Sequence, residues 1–94
     1  MNVVNMQSPR TGNPVKNQFD IHTGNARYFQ SYDSIIVKIE SGKVSLDEKY
    51  WNYSRTTSKY RNLFLQKTTK EIQQKIDNGI YILENLNKGE WKKW

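Results

Sequence analysis

The spacing of apolar residues changes near the middle of the chain, and this change constrains the fold more than any other feature. From Asn17 onwards apolar and polar residues alternate, and four of the six residues 34–39 (SIIVKI) are isoleucine or valine. Alternation and β-branched side chains are typical of strands. Further along, Tyr60, Leu63 and Phe64 recur at the spacing of one helix face. The sequence therefore predicts an α+β fold.

Turn-forming residues divide the first half of the chain into four short strands. Residues 23–25 (TGN) and 41–42 (SG) are typical of tight turns between strands. The strands are predicted at 17–22, 26–32, 34–39 and 43–46. Because short turns join antiparallel neighbours, we expect a small antiparallel β-meander.

Two short helices and one further strand are predicted after the meander. The first helix covers residues 57–66. The second begins after Thr68, because Glu71 lies three residues later at the spacing of a capping box, and it ends at residues 78–79 (NG). Residues 80–86 (IYILENL) are predicted to form a strand that returns to the sheet.

A length of 94 residues allows one domain with one modest core. Residues 1–16 contain several turn formers and few apolar residues, so we expect a flexible N-terminal arm there. The α+β domain is predicted to span residues 17–87. Residues 88–94 form a basic-aromatic tail, in which Trp91 and Trp94 either dock onto the domain or contact a partner.

All of the net positive charge lies between residues 49 and 70, which we call the acid-free segment. This segment contains six basic residues and no acidic one, whereas nine basic and nine acidic residues balance elsewhere. It also contains tyrosines, a tryptophan and several hydroxyl side chains. Cations attract phosphates and aromatic rings stack on bases, so the segment is a candidate nucleic-acid interface. The candidate binding residues are Lys49, Trp51, Tyr53, Arg55, Lys59, Arg61, Lys67 and Lys70.

A structural interpretation of the same residues stays open. Aromatic side chains beside short strands usually pack in a core, so Trp51 or Tyr53 could be buried. If residues 49–53 are extended, Trp51 and Tyr53 lie on one side and Tyr50 and Asn52 on the other, so one pair could pack while the other faces out.

No catalytic or metal-binding constellation is predicted. His22 is the only histidine and cysteine is absent, so neither a nucleophile–base pair nor a zinc site can be assembled. Asp47 and Glu48 are neighbours at a strand end and would point to opposite faces, so they would not share one site. Hydrogen bonding of Asp47 to backbone amides of a turn is a simpler explanation for that carboxylate. We therefore expect no enzymatic activity and no cofactor.

The sequence also bears on location. The N-terminal residues contain no apolar run typical of a secretory signal, and no stretch approaches the roughly 20 apolar residues of a membrane-spanning helix. We expect a cytoplasmic protein with no membrane partner.

Four stretches carry a resemblance to a group of small bacteriophage and mobile-element proteins. They are residues 17–19 (NQF), 28–36 (YFQSYDSII), 46–65 (LDEKYWNYSRTTSKYRNLFL) and 75–83 (KIDNGIYIL). The resemblance implies a phage-type accessory protein that works in the host cytoplasm. Small proteins of this kind often bind host machinery, including RNA-guided immune effectors, so the resemblance implies an anti-CRISPR role as a specific hypothesis.

Several hypotheses about partners follow. In the first, the protein binds a host nucleoprotein complex or its RNA through the acid-free segment. One alternative is a general module for RNA or single-stranded DNA, and another is a protein-interaction module for an acidic surface without nucleic acid. The protein is either a monomer or a homodimer that pairs exposed edge strands.

Overall fold

A six-stranded sheet with two helices forms the body of the protein, and the computed structural model describes residues 2–87. The strands are β1 (Asn2–Gln7), β2 (Pro14–Thr23), β3 (Ala26–Ser31), β4 (Ser34–Glu40), β5 (Lys43–Asp47) and β6 (Tyr81–Glu84). The helices α1 (Arg55–Leu65) and α2 (Thr69–Asp77) lie between β5 and β6 in the chain. The predicted α+β fold, with two short helices and a C-terminal strand, is confirmed.

The strands follow one another across the sheet in chain order, from β1 to β6. The first five are antiparallel to their neighbours, as the predicted meander requires, whereas β6 runs parallel to β5. A parallel pair needs a long crossover connection, and α1 and α2 supply it. Val44 pairs with Tyr81 and Leu46 with Leu83 in this last register. The final strand is shorter than the predicted 80–86.

The prediction of a flexible arm at residues 1–16 is wrong for most of that segment. Residues 2–7 form β1, which pairs along β2, and β2 itself begins at Pro14. The turn formers between them build a closed loop, in which the Ser8 N–H donates to the Asn13 carbonyl at 2.9 Å. Gly12 adopts a positive φ of 74° in this loop, a conformation that favours glycine. The turn residues therefore mark a hairpin loop.

Strands β1 and β6 form the two edges of the sheet within the described residues. Val3 and Val4 of β1 are about half exposed, although they point to opposite faces of the strand. Homodimerisation through an edge strand stays a prediction. The predicted tail at residues 88–94, with Trp91 and Trp94, lies outside the described residues.

The helices cover one face of the sheet and build the larger part of the core. Phe29 and Leu46 of the sheet are completely buried beneath Tyr60, Phe64 and Ile72 of the helices. A smaller cluster on the opposite face contains Ile21, Tyr28, Ile35 and Leu86. None of the described helices is long and apolar enough to cross a membrane.

Local sequence signals set the ends of both helices. The Ser54 hydroxyl caps α1 by accepting from the Thr57 N–H at 3.1 Å. The predicted capping box of α2 is confirmed, because Thr68 and Glu71 each accept a hydrogen bond from the other's backbone N–H. The chain leaves α2 at Asn78, as predicted.

Candidate nucleic-acid interface

The loop at residues 48–54 carries Lys49 and Tyr53, and Asp47 fixes its beginning. Asp47 is buried, and its Oδ2 accepts from the N–H groups of Lys49 and Tyr50 at 3.1 and 2.9 Å. Its Oδ1 accepts from the Leu86 N–H at 2.8 Å, which ties the loop to the segment after β6. The predicted role of Asp47, hydrogen bonding to turn amides, is confirmed.

Arg61 holds the second part of the same loop, at residues 51–52, through hydrogen bonds. Its Nη1 donates to the Trp51 carbonyl and, at 3.1 Å, to Asn52 Oδ1. Its Nη2 donates to Asn62 Oδ1 at 2.7 Å and to Thr69 Oγ1 at 2.9 Å, and its Nε donates to the same Asn62 oxygen. One guanidinium therefore joins the loop, α1 and the first turn of α2.

Arg61 is the one predicted site residue that is completely buried, so a partner cannot contact it. Its side chain is 0% exposed, and each of its hydrogen-bond acceptors is neutral. Burial lowers the pKa of Arg61 to about 10, so the guanidinium is charged at neutral pH. It lies on the side of α1 that also buries Thr57 and Phe64. We correct the sequence prediction accordingly and leave Arg61 out of the interface.

The opposite side of α1 is an exposed stripe with two cations. Arg55, Lys59, Leu63 and Gln66 lie at i, i+4, i+8 and i+11, and all four are exposed. Leu63 was predicted to share one helix face with Tyr60 and Phe64, but those two are buried and Leu63 is 40% exposed. Within residues 2–87, no lysine or arginine of the acid-free segment forms an ion pair.

The other predicted residues flank this stripe in the chain. Lys49 is exposed in the loop, and Tyr53 is 50% exposed with its ring edge-on to Tyr50 at a centroid distance of 5.3 Å. Trp51 is half-buried against the core with the Arg61 guanidinium 5.1 Å from its ring centroid. Tyr53 rather than Trp51 thus presents an open ring.

The turn between the helices carries two further cations. Gln66 ends α1 in the left-handed conformation with φ of 55°, and the Lys67 N–H then donates to the Asn62 carbonyl. Lys67 is half-buried and Lys70 is exposed in the first turn of α2. We call the predicted binding residues other than Trp51 and Arg61 the cationic surface; they are Lys49, Tyr53, Arg55, Lys59, Lys67 and Lys70.

A groove lies between the two helices and the β1–β2 loop, and no local sequence pattern indicates it. This open groove has a volume of about 590 Å³. Its lining residues are Pro9, Lys59, Asn62, Leu63, Gln66, Lys67, Thr68 and Glu71. Pro9 lies 50 residues before Lys59 in the chain, so only the tertiary structure brings the hairpin loop to the helices. We call this feature the helix–hairpin groove.

Outside this region, Asp20 pairs with Arg27 and His22. Asp20 binds Arg27 through two hydrogen bonds of 3.0 and 2.7 Å and lies 3.1 Å from His22 Nε2. The Arg27 guanidinium also lies 4.3 Å from the Phe64 ring centroid. Among residues 2–87, no three histidine or acidic side chains gather as metal ligands would.

Comparison with known proteins identifies a family. The model of a family of unknown function, DUF8033, matches residues 1–79. The chain belongs to DUF8033. The DUF8033 match includes β1 to β5, both helices, the cationic surface and the residues that line the helix–hairpin groove. No curated protein and no solved structure matches this DUF8033 chain.

Proposed function

We propose that this DUF8033 protein binds single-stranded RNA, free or within a host nucleoprotein complex, through the cationic surface. The observation that carries the proposal is the exposed stripe of α1, where Arg55 and Lys59 lie without ion-pair partners among the described residues. Cations that are not neutralised within the fold are available to phosphates, and binding releases the counterions of the nucleic acid.

The aromatic content of the surface favours a single strand over a duplex. The half-exposed ring of Tyr53 lies two residues before Arg55. An unpaired base can stack on such a ring, whereas the bases of a duplex are already stacked on one another. The ring and the neighbouring cations together suit the alternating bases and phosphates of one strand.

The anti-CRISPR hypothesis is the most specific form of this proposal. A cationic protein can engage the guide RNA of an RNA-guided effector or compete for phosphates that the effector holds. Imitation of DNA would require an acidic surface, which the acid-free segment does not provide. The phage context that motivates the hypothesis comes from the sequence resemblance.

Salt dependence of binding tests the proposal directly. Four phosphate contacts on a single strand would give a log–log salt slope of about −2.8, and a loss of about 50-fold in affinity between roughly 50 and 200 mM salt. Fluorescence anisotropy with a labelled single-stranded RNA measures this slope. Lys59→Gln should weaken binding, whereas Lys43→Gln, an equal change of charge on β5, should not. Affinity that does not change with salt would contradict the proposal.

A second candidate is a protein-interaction module for an acidic surface. The exposed side chains of Tyr53 and Arg55 favour it, because both residue types are enriched among interface residues that dominate binding energy. Affinity purification of the tagged protein from its host, with and without nuclease, separates the candidates. A nuclease-resistant protein partner without nucleic acid supports the second candidate, and an effector recovered with its guide RNA supports the anti-CRISPR form of the first.

A further inference from the structure

The helix–hairpin groove has a feature that phosphate binding alone does not explain. Leu63 lies in the middle of the exposed stripe and lines the groove together with Pro9. Contacts to phosphates need cations and hydrogen-bond donors, and an apolar contact adds nothing to them. The apolar lining of the groove therefore suits a different part of a ligand.

The charges around the groove are arranged unevenly. Lys59 and Lys67 line it, and both belong to the cationic surface. Glu71 lines it too, and hydrogen bonds from Thr68 lower the pKa of this carboxyl group, so it is ionised at neutral pH. An anionic carboxylate repels phosphate and accepts N–H groups. Phosphates are therefore expected beside the lysines and amino groups beside Glu71.

The other polar wall of the groove is held in place. Asn62 Oδ1 accepts from Arg61, and Asn62 Nδ2 donates to Thr69 Oγ1 at 3.1 Å. Because Arg61 is buried beneath it, the Asn62 side chain is fixed in position before any ligand arrives. A wall that is ordered in advance lowers the entropic cost of binding.

We infer that the helix–hairpin groove receives one unpaired base of the bound strand, with the flanking phosphates on Lys59 and Lys67. This inference rests on the proposed function and deepens it. The groove is open to solvent, and its volume of about 590 Å³ falls within the range of about 300–1,000 Å³ that is usual for small-ligand sites. The base lies against Leu63 and Pro9, and an exocyclic amino group such as that of cytosine faces Glu71. A paired base cannot enter.

The matched variants Leu63→Ser and Leu83→Ser test the inference. The two leucines are 40% and 39% exposed, but Leu83 lies on β6 and does not line the groove. The probes are a labelled oligocytidine of about 12 nucleotides and an abasic strand of the same length. Both probes carry the same phosphates, so they differ only in whether a base is present.

We expect Leu63→Ser to weaken binding of the oligocytidine by about fivefold, or roughly 1 kcal/mol. The same variant should leave binding of the abasic strand unchanged, and Leu83→Ser should change neither. Once the oligocytidine is annealed to its complement, Leu63→Ser should no longer change the affinity, because no unpaired base is left to enter the groove. Thermal unfolding of both variants checks that the groove variant is folded.

The outcomes separate the inference from the proposed function. If Leu63→Ser weakens both strands equally, or neither, while salt-dependent binding persists, the groove does not hold a base and the inference fails alone. If neither strand binds in a salt-dependent way, the proposed function fails and the inference fails with it. If Leu63→Ser releases only a nuclease-resistant protein partner, the groove binds a peptide and the inference is wrong.

Discussion

The two sides of α1 place similar cationic side chains in opposite environments. On the inner side, Arg61 is completely buried and its donors are used on neutral acceptors of the loop, α1 and α2. On the outer side, Arg55 and Lys59 are exposed and form no ion pair within the described residues. The inner cation holds the loop at residues 48–54 in place, and the outer cations are available to a partner.

The charged side chains of the acid-free segment therefore serve two purposes, stabilisation of the fold and binding of a partner. Arg61 on α1 and Asp47 at the end of β5 both form hydrogen bonds to the loop at residues 48–54. Their substitution should therefore change stability first and binding second. Substitution of the outer cations should change binding and leave stability alone.

The largest effect is expected for Arg61→Met. This variant fills similar space but leaves the Trp51 carbonyl and Asn62 Oδ1 without the donors that Arg61 supplies. We expect a loss of about 3 kcal/mol in the free energy of unfolding, measured by urea denaturation. The control Arg55→Met should lose less than about 0.5 kcal/mol. An unchanged urea midpoint for Arg61→Met would mean that the cost of burying the guanidinium offsets its hydrogen bonds.

A smaller loss of stability is expected for Asp47→Asn. An amide has one acceptor oxygen, so it cannot accept both from the Lys49 and Tyr50 amides and from the Leu86 amide. We expect a loss of about 2 kcal/mol by thermal or urea unfolding, with faster hydrogen exchange at the Leu86 N–H. Glu48→Gln, on the exposed neighbour, is the control. Equal losses for the two variants would show that Asp47 does not anchor the loop.

On the outer side, the double variant Arg55→Gln/Lys59→Gln should change binding of single-stranded RNA. Loss of two phosphate contacts should reduce the log–log salt slope by about 1.4, and the affinity at low salt should fall by about tenfold or more. The urea midpoint should stay that of the wild type. A double variant that binds RNA with the wild-type slope would place the interface elsewhere on the protein.

The smallest effect is expected at low pH, where protonation of Glu71 should weaken the start of α2. The pKa of Glu71 is lowered chiefly by its hydrogen bonds with Thr68, so the carboxylate supports the start of α2 above its unfolded-state pKa. That support should be lost as pH falls through the lower, folded-state pKa. NMR amide shifts in the first turn of α2 should follow this titration. In Glu71→Gln the shifts should change much less with pH.

Most of the fold could be predicted because its signals are local. The run at residues 34–39 is β4, and the capping residues Thr68 and Glu71 define the start of α2. Strand β1 was missed because none of its residues is fully buried and because turn formers follow it. Its ordering comes from pairing with β2, which is a contact between segments that the local pattern does not contain.

The candidate site was predicted only in part. Charge segregation identified the acid-free segment, and Arg55 and Lys59 are indeed exposed. The helical pattern, however, placed Leu63 on the apolar face and Arg61 outside it, whereas in the structure Leu63 is exposed and Arg61 is buried. An apolar residue is normally expected inside and an arginine outside, so no sequence rule would have reversed them.

The amino-acid sequence was enough to predict the class of fold, the ends of α2 and the segment that carries the net charge. These properties depend on neighbours within a few positions, where spacing and capping act directly. The parallel direction of β6, the burial of Arg61 and the position of Pro9 beside α1 follow from tertiary packing alone. Each of these depends on segments that are distant in the chain and come together only when the helices pack across the sheet.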